Sequence, residues 1–133
     1  MKYIIGLVGS GKTTLYRKLN EEKQCNAVEL ELPQSCVGDD VFITKLFELY
    51  LNNPNIDCII AHPFYLPKHF YRYLTKDDTV EFLDVPLQER MKRIIIRSDE
   101  IDSKCQIFDA EFLYLEEQAF RKMKEEEVIN GWK

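Results

Sequence analysis

Residues 6–13 read Gly6-Leu7-Val8-Gly9-Ser10-Gly11-Lys12-Thr13, the spacing GxxxxGK[ST], set between an apolar run and a helical period. Few short patterns constrain a fold so tightly. The glycines let the backbone curl until successive N–H groups converge on one anion. The helix that follows turns its positive end to the same point. Lys12 adds a cation able to reach β- and γ-phosphates, and the Thr13 hydroxyl can ligate Mg²⁺ bound to them. The candidate nucleotide-binding residues are therefore Gly9, Ser10, Gly11, Lys12, Thr13 and Thr14, with Thr13 as the metal ligand. The expected ligands are ATP and Mg²⁺. The loop does not specify what the phosphate energy is used for.

Around this loop, short apolar runs alternate with helical periods, which predicts βαβ units and a parallel sheet. Residues 2–6 read as a first strand. Residues 12–23 read as a helix, with Leu15 and Leu19 on one face. Residues 26–32 alternate as a half-buried edge strand that Pro33 ends. Asp39 is the expected N-cap of a helix over 40–52, with Val41, Leu46, Leu49 and Tyr50 as its apolar stripe. Residues 56–61 read as a buried strand, 67–75 as a helix opened by Pro67, and 79–85 as a fourth strand. Pro86 starts a helix to about Arg97, residues 98–107 are a polar loop, and a last helix covers 109–127 with Phe112, Leu115, Ala119 and Met123 on one face.

With 133 residues the chain is the length of one domain, taken as 1–133, and can bury a real core without disulfides. Its four cysteines (Cys25, Cys36, Cys58, Cys105) show no CxxC spacing, which reads as reduced thiols in a cytoplasmic protein. The net charge of -5 argues against a general nucleic-acid coat or a membrane-surface binder. The apolar runs are too short for a signal peptide or a membrane helix. No membrane partner is expected, and the oligomeric state is open.

Residues 1–20 resemble the start of the small P-loop kinases, the group that holds nucleotide, nucleoside, shikimate and gluconate kinases. A second patch, Glu81-Phe82-Leu83-Asp84-Val85-Pro86 followed by Arg90, Arg93 and Arg97, is similar to the strand, turn and Arg-bearing helix that enter the lid in those enzymes. The two patches cover under a third of the chain. The resemblance implies a three-layer P-loop NTPase fold: a parallel sheet of four or five strands, order 2-3-1-4, flanked by helices. It also implies a short lid at about 98–108.

Arg90, Arg93 and Arg97 share one helix face at i, i+3, i+7, with Leu87, Met91 and Ile94 on a neighbouring face to anchor the helix. Guanidinium groups stabilise charge on a transferring phosphoryl group. By resemblance Arg93 and Arg97 flank the lid, while Arg90 has the rival reading of a partner for an acidic neighbour. Kinases of this group carry a carboxylate near the end of the second strand that orients the acceptor hydroxyl. Glu31 is the candidate here, Asp39 and Asp40 are its rivals, and Glu29 lies on the same strand. Residues 62–73 interleave five aromatics with Lys68, His69 and Arg72. Lys68, Arg72 and Tyr71 are the candidate acceptor-binding residues, set against a core-packing role for the aromatics. His62 reads as structural.

The third strand ends at Ala61-His62, where many P-loop enzymes have an aspartate. Asp84 is a candidate for a water-mediated contact with Mg²⁺, and Trp132 for stacking on adenine. The expected function is an ATP-dependent phosphotransferase acting on a nucleotide, nucleoside or nucleic-acid hydroxyl or phosphate. The alternatives are a small-metabolite kinase of shikimate or gluconate type, or a nucleotide-binding module without turnover.

Overall fold

The computed structural model describes residues 1–23, 25–30, 39–100 and 110–130, the side chains of 95–100, 110 and 127–130 excepted. Four parallel strands form one sheet in the order β2-β3-β1-β4. The strands are β1 (Lys2–Gly6), β2 (Ala27–Leu30), β3 (Cys58–Ala61) and β4 (Thr79–Leu83). The helices are α1 (Lys12–Glu21), α2 (Asp40–Leu51), α3 (Leu87–Glu100) and α4 (Ala110–Asn130). The register pairs Ile5 with Ala61 on one side and with Phe82 on the other, and pairs Leu30 with Ala61. The carboxyl ends of all four strands therefore open on the same edge of the sheet.

Strand alternation divides the core in two. Tyr3, Ile5, Ile59 and Ala61 face one layer with Phe47 of α2 and with Phe120 and Met123 of α4. Ile4, Cys58 and Ile60 face the other layer with Leu19 of α1. This is the period of two expected of strands covered on both faces. Asn20 of α1 closes the edge strand by donating to the Ala27 carbonyl and accepting from the Ala27 amide, each at 3.2 Å. Asp39 caps α2 through the Phe42 amide, as its position implies.

Several local expectations are corrected. The helix expected over 67–75 is replaced by one 3-10 turn, Phe70–Tyr73, with another just before it at Pro63–Tyr65. Phe70 is pulled into the core against Tyr3, and Tyr73 packs on Phe47, so aromatic burial overrides helical spacing. On α2 the buried residues are Ile43 and Phe47, while Val41 and Leu49 are 66% and 70% exposed. Leu87 and Met91 are largely exposed, so they do not anchor α3. On α4 Leu115 is exposed, and the buried line runs through Glu116, Phe120 and Met123. Helix α3 continues to Glu100, three residues into the expected lid. The rest of the lid to residue 108 lies outside the described residues, as does Trp132.

Candidate nucleotide-binding site

The loop of residues 6–13 leaves the carboxyl end of β1, the strand between β3 and β4. Gly9 and Gly11 hold φ of +79° and +93°, a region that strongly favours glycine. A Cβ on Gly9 would stand 2.7 Å from the Arg90 carbonyl oxygen, so α3 seats against the loop only because that position has no side chain. The Ser10 amide closes a turn on the Leu7 carbonyl at 3.1 Å. Helix α1 begins without a side-chain cap, which leaves its first amides for an anion. The Ser10 hydroxyl is buried and has no hydrogen-bond partner among the described residues. A buried donor of this kind inside a loop of converging amides fits phosphate oxygens.

Lys12 Nζ donates to the Leu7 carbonyl at 2.8 Å and so holds its charge within the loop. Arg93 reaches over from α3, and its Nη1 donates to the Gly9 carbonyl at 3.1 Å. The Thr13 hydroxyl donates to the Glu29 carboxylate, 2.9 Å from Oε1 and 3.2 Å from Oε2. A hydroxyl and a carboxylate side by side form a hard oxygen donor set of the kind Mg²⁺ takes beside phosphates. Thr14 is exposed in the first turn of α1.

Behind the loop lies a buried polar network. Glu116 Oε1 accepts from Arg90 Nη1 at 2.8 Å. Its Oε2 lies 2.8 Å from His62 Nε2 and 3.3 Å from the Val8 amide nitrogen. The Phe64 amide donates to His62 Nδ1, so Nε2 carries the ring proton and donates to Glu116. Burial, the largest influence, holds the His62 pKa below its ordinary value, against the opposing pull of Glu116. Arg90 also donates from Nε to the Val85 carbonyl at 3.1 Å and from Nη2 to Glu117 at 2.8 Å. Arg90 is therefore the partner of acidic neighbours, not a member of an exposed arginine stripe.

The other expected residues are distributed as follows. Glu31 and the side chain of Arg97 lie outside what the structure describes. Asp39 is occupied as a helix cap, and Asp84 pairs with Lys124 at 2.8 Å. Arg72 lies over the Tyr71 ring at 5.9 Å, and the flanking Phe70 and Tyr73 pack toward Tyr3 and Phe47, near the amino end of β1. Lys68 is exposed. At the carboxyl end of β3 a different aromatic group forms: His62 stacks on Phe112 at 6.2 Å, and Phe64 meets Phe112 edge-on at 5.9 Å.

The sequence reading gave no role to Glu29 and did not single out Glu116. The signal for Glu116 was present, because a carboxylate four residues before Phe120 and seven before Met123 falls on their face of the helix.

The fold is the α/β fold of the P-loop kinases. The solved structure of deoxyadenosine kinase from M.mycoides, with the products dCMP and a flexible dCDP bound, is similar to this chain with a TM-score of 0.59 and 16% identity. The match covers 96% of this chain and 85% of that one. No family model matches this chain, and none of the curated proteins matches it significantly. Among the described residues, no helix is long and apolar enough to cross a membrane.

Proposed function

We propose that this protein transfers the γ-phosphoryl group of ATP to a nucleoside or nucleotide. The observation that carries the reading is the loop of residues 6–13. It has two left-handed glycines, a buried hydroxyl without a partner among the described residues, and Arg93 laid across it. In this reading the loop amides and Lys12 hold the phosphates, while Thr13 and Glu29 hold Mg²⁺. Bound there, Mg²⁺ neutralises phosphate charge and braces the phosphate oxygens. Arg93, with Arg97 after it on α3, stabilises the charge of the transferring group. The bond from the γ-phosphorus to the β–γ bridging oxygen breaks and releases ADP, one to the acceptor oxygen forms, and a hydroxyl acceptor gives up its proton to solvent. Glu31 keeps the role of orienting the acceptor hydroxyl on sequence grounds alone.

The likeness to a deoxyadenosine kinase supports a base-bearing acceptor. Phe64 and Phe112 then replace Lys68, Tyr71 and Arg72 as the proposed acceptor contacts. They are half-buried and lie beside His62, at the edge of the sheet where the loop emerges. A second reading, nucleotide binding without turnover, is favoured by His62 standing after β3 with its ring tied to Glu116.

The test is a transfer screen with labelled ATP and Mg²⁺ against nucleosides, mononucleotides, oligonucleotide ends and sugar acids. Lys12→Ala is the control. A labelled nucleoside or nucleotide that disappears in Lys12→Ala is the expected result. A labelled sugar acid would move the acceptor to small metabolites. ATP binding without any product would leave the second reading.

A further inference from the structure

Glu116 has no solvent exposure and Arg90 has 1%. Burying such a pair is costly, and apolar side chains of similar volume are often as stable or more so, so stability alone is a weak reason for it. Its connections suggest another role. Glu116 extends from α4 to the Val8 amide in the loop after β1, to His62 after β3, and to Arg90 on α3. One carboxylate thus accepts from three elements around the phosphate loop. Two of these links bear on the loop itself. Val8 is held directly, and the Arg90 backbone is packed so closely on Gly9 that no Cβ fits between them. The neutral His62 ring, with Nδ1 engaged by the Phe64 amide, gives the carboxylate a fixed donor and not a second cation.

We infer that Glu116 is a positioning residue. It sets the first half of the phosphate loop through Val8 and Arg90, so that the following amides converge on the nucleotide. The inference rests on the reading of the loop as an ATP site. Glu116 acts through the backbone of the loop and not on the substrate. A charged side chain on α4 thereby ties together the two helices that bracket residues 101–109 and the loop that holds the phosphates.

The experiment is titration calorimetry of ATP with Mg²⁺ on the whole chain, with thermal melts alongside. Glu116→Gln keeps the shape but turns an NH₂ toward donors, and is expected to weaken ATP by about tenfold, the scale of one lost charge-assisted hydrogen bond. Phe47→Leu, a core change on α2, serves as a control for lowered stability and is expected to leave ATP affinity within about twofold. Glu116→Met together with Arg90→Met removes both charges at once, is expected to fold even where the single variant does not, and is expected to show the same loss of affinity.

Wild-type affinity in Glu116→Gln or in the double variant would overturn the inference. So would an equal loss of affinity in Phe47→Leu. Binding by wild type that is lost in Lys12→Ala would keep the ATP site even if Glu116 proved irrelevant to it. A wild-type chain that does not bind ATP would overturn both readings.

Discussion

The Thr13 hydroxyl donates to both oxygens of the Glu29 carboxylate, at 2.9 and 3.2 Å, and so ties the first turn of α1 to the edge strand β2. In the proposed function these two side chains are the protein's ligands to Mg²⁺. Glu29→Gln keeps a hydrogen-bond acceptor but removes the charge. It is expected to lower turnover by about a hundredfold, on the scale of losing one electrostatic contact in a transfer site. ATP affinity measured without Mg²⁺ is expected to change by less than about threefold. Turnover and calorimetry with and without Mg²⁺ check both expectations.

Gly9 combines a left-handed backbone with the close approach of Arg90. Gly9→Ala is expected to destabilise the fold by about 1–3 kcal/mol from backbone strain, with a further cost as α3 is displaced. Urea unfolding measures the loss. A variant as stable as wild type would show that α3 does not seat on the loop in solution.

Arg90→Met leaves the Glu116 carboxylate buried without its cation. The expected cost is about 3–5 kcal/mol, well above that of removing both charges together. Urea unfolding of the single and double variants tests the order. A single variant no less stable than the double would mean that Glu116 finds solvent or another partner.

His62 makes stability depend on pH. Its folded pKa is held below the ordinary 6.5 by burial, and the Lys12 and Arg90 charges add to the fall while Glu116 opposes it. As pH drops through about 6.5 the unfolded chain takes up a proton that the folded chain refuses. This contribution is therefore complete above that pH and is lost below it. His62→Asn keeps a cap for the Phe64 amide but has no imidazole to titrate. Melting temperatures followed from about pH 7.5 to 5.5 are expected to fall less steeply for His62→Asn than for wild type.

Cys58 is fully buried, and its thiol is pushed up to about 12, by burial first and then by the neighbouring Cys25. An alkylating reagent applied to the native protein at about pH 8 is expected to leave Cys58 unmodified while the half-exposed Cys25 reacts. Peptide mass spectrometry separates the two. Rapid labelling of Cys58 would mean that β3 opens at its first residue.

Much of the architecture was legible in the chain. The phosphate loop and the four strands follow from the spacing of glycines and short apolar runs, while the strand order 2-3-1-4 was implied by the resemblance to P-loop kinases and is the order found. The 62–73 segment departs from the helix that Pro67 suggested, because Phe70 and Tyr73 of one short turn are both held on Phe47, which is the core-packing role set against acceptor binding for these aromatics. The arginine spacing left two readings of Arg90 open, and the structure gives it the acidic partner. Arg90 and Arg93 are three residues apart on one helix, yet Arg90 is buried on Glu116 while Arg93 lies over Gly9 at 43% exposure.

The sequence by itself determined the local chemistry of the loop, because glycine conformation and a helix start are decided by neighbours along the chain. Only the tertiary structure decided which charges meet. Val8, His62, Arg90 and Glu116 come from four separate parts of the chain, and Val8 and Glu116 are 108 residues apart. No local pattern reports that encounter, because it depends on the strand register and on the depth to which α4 packs against the sheet.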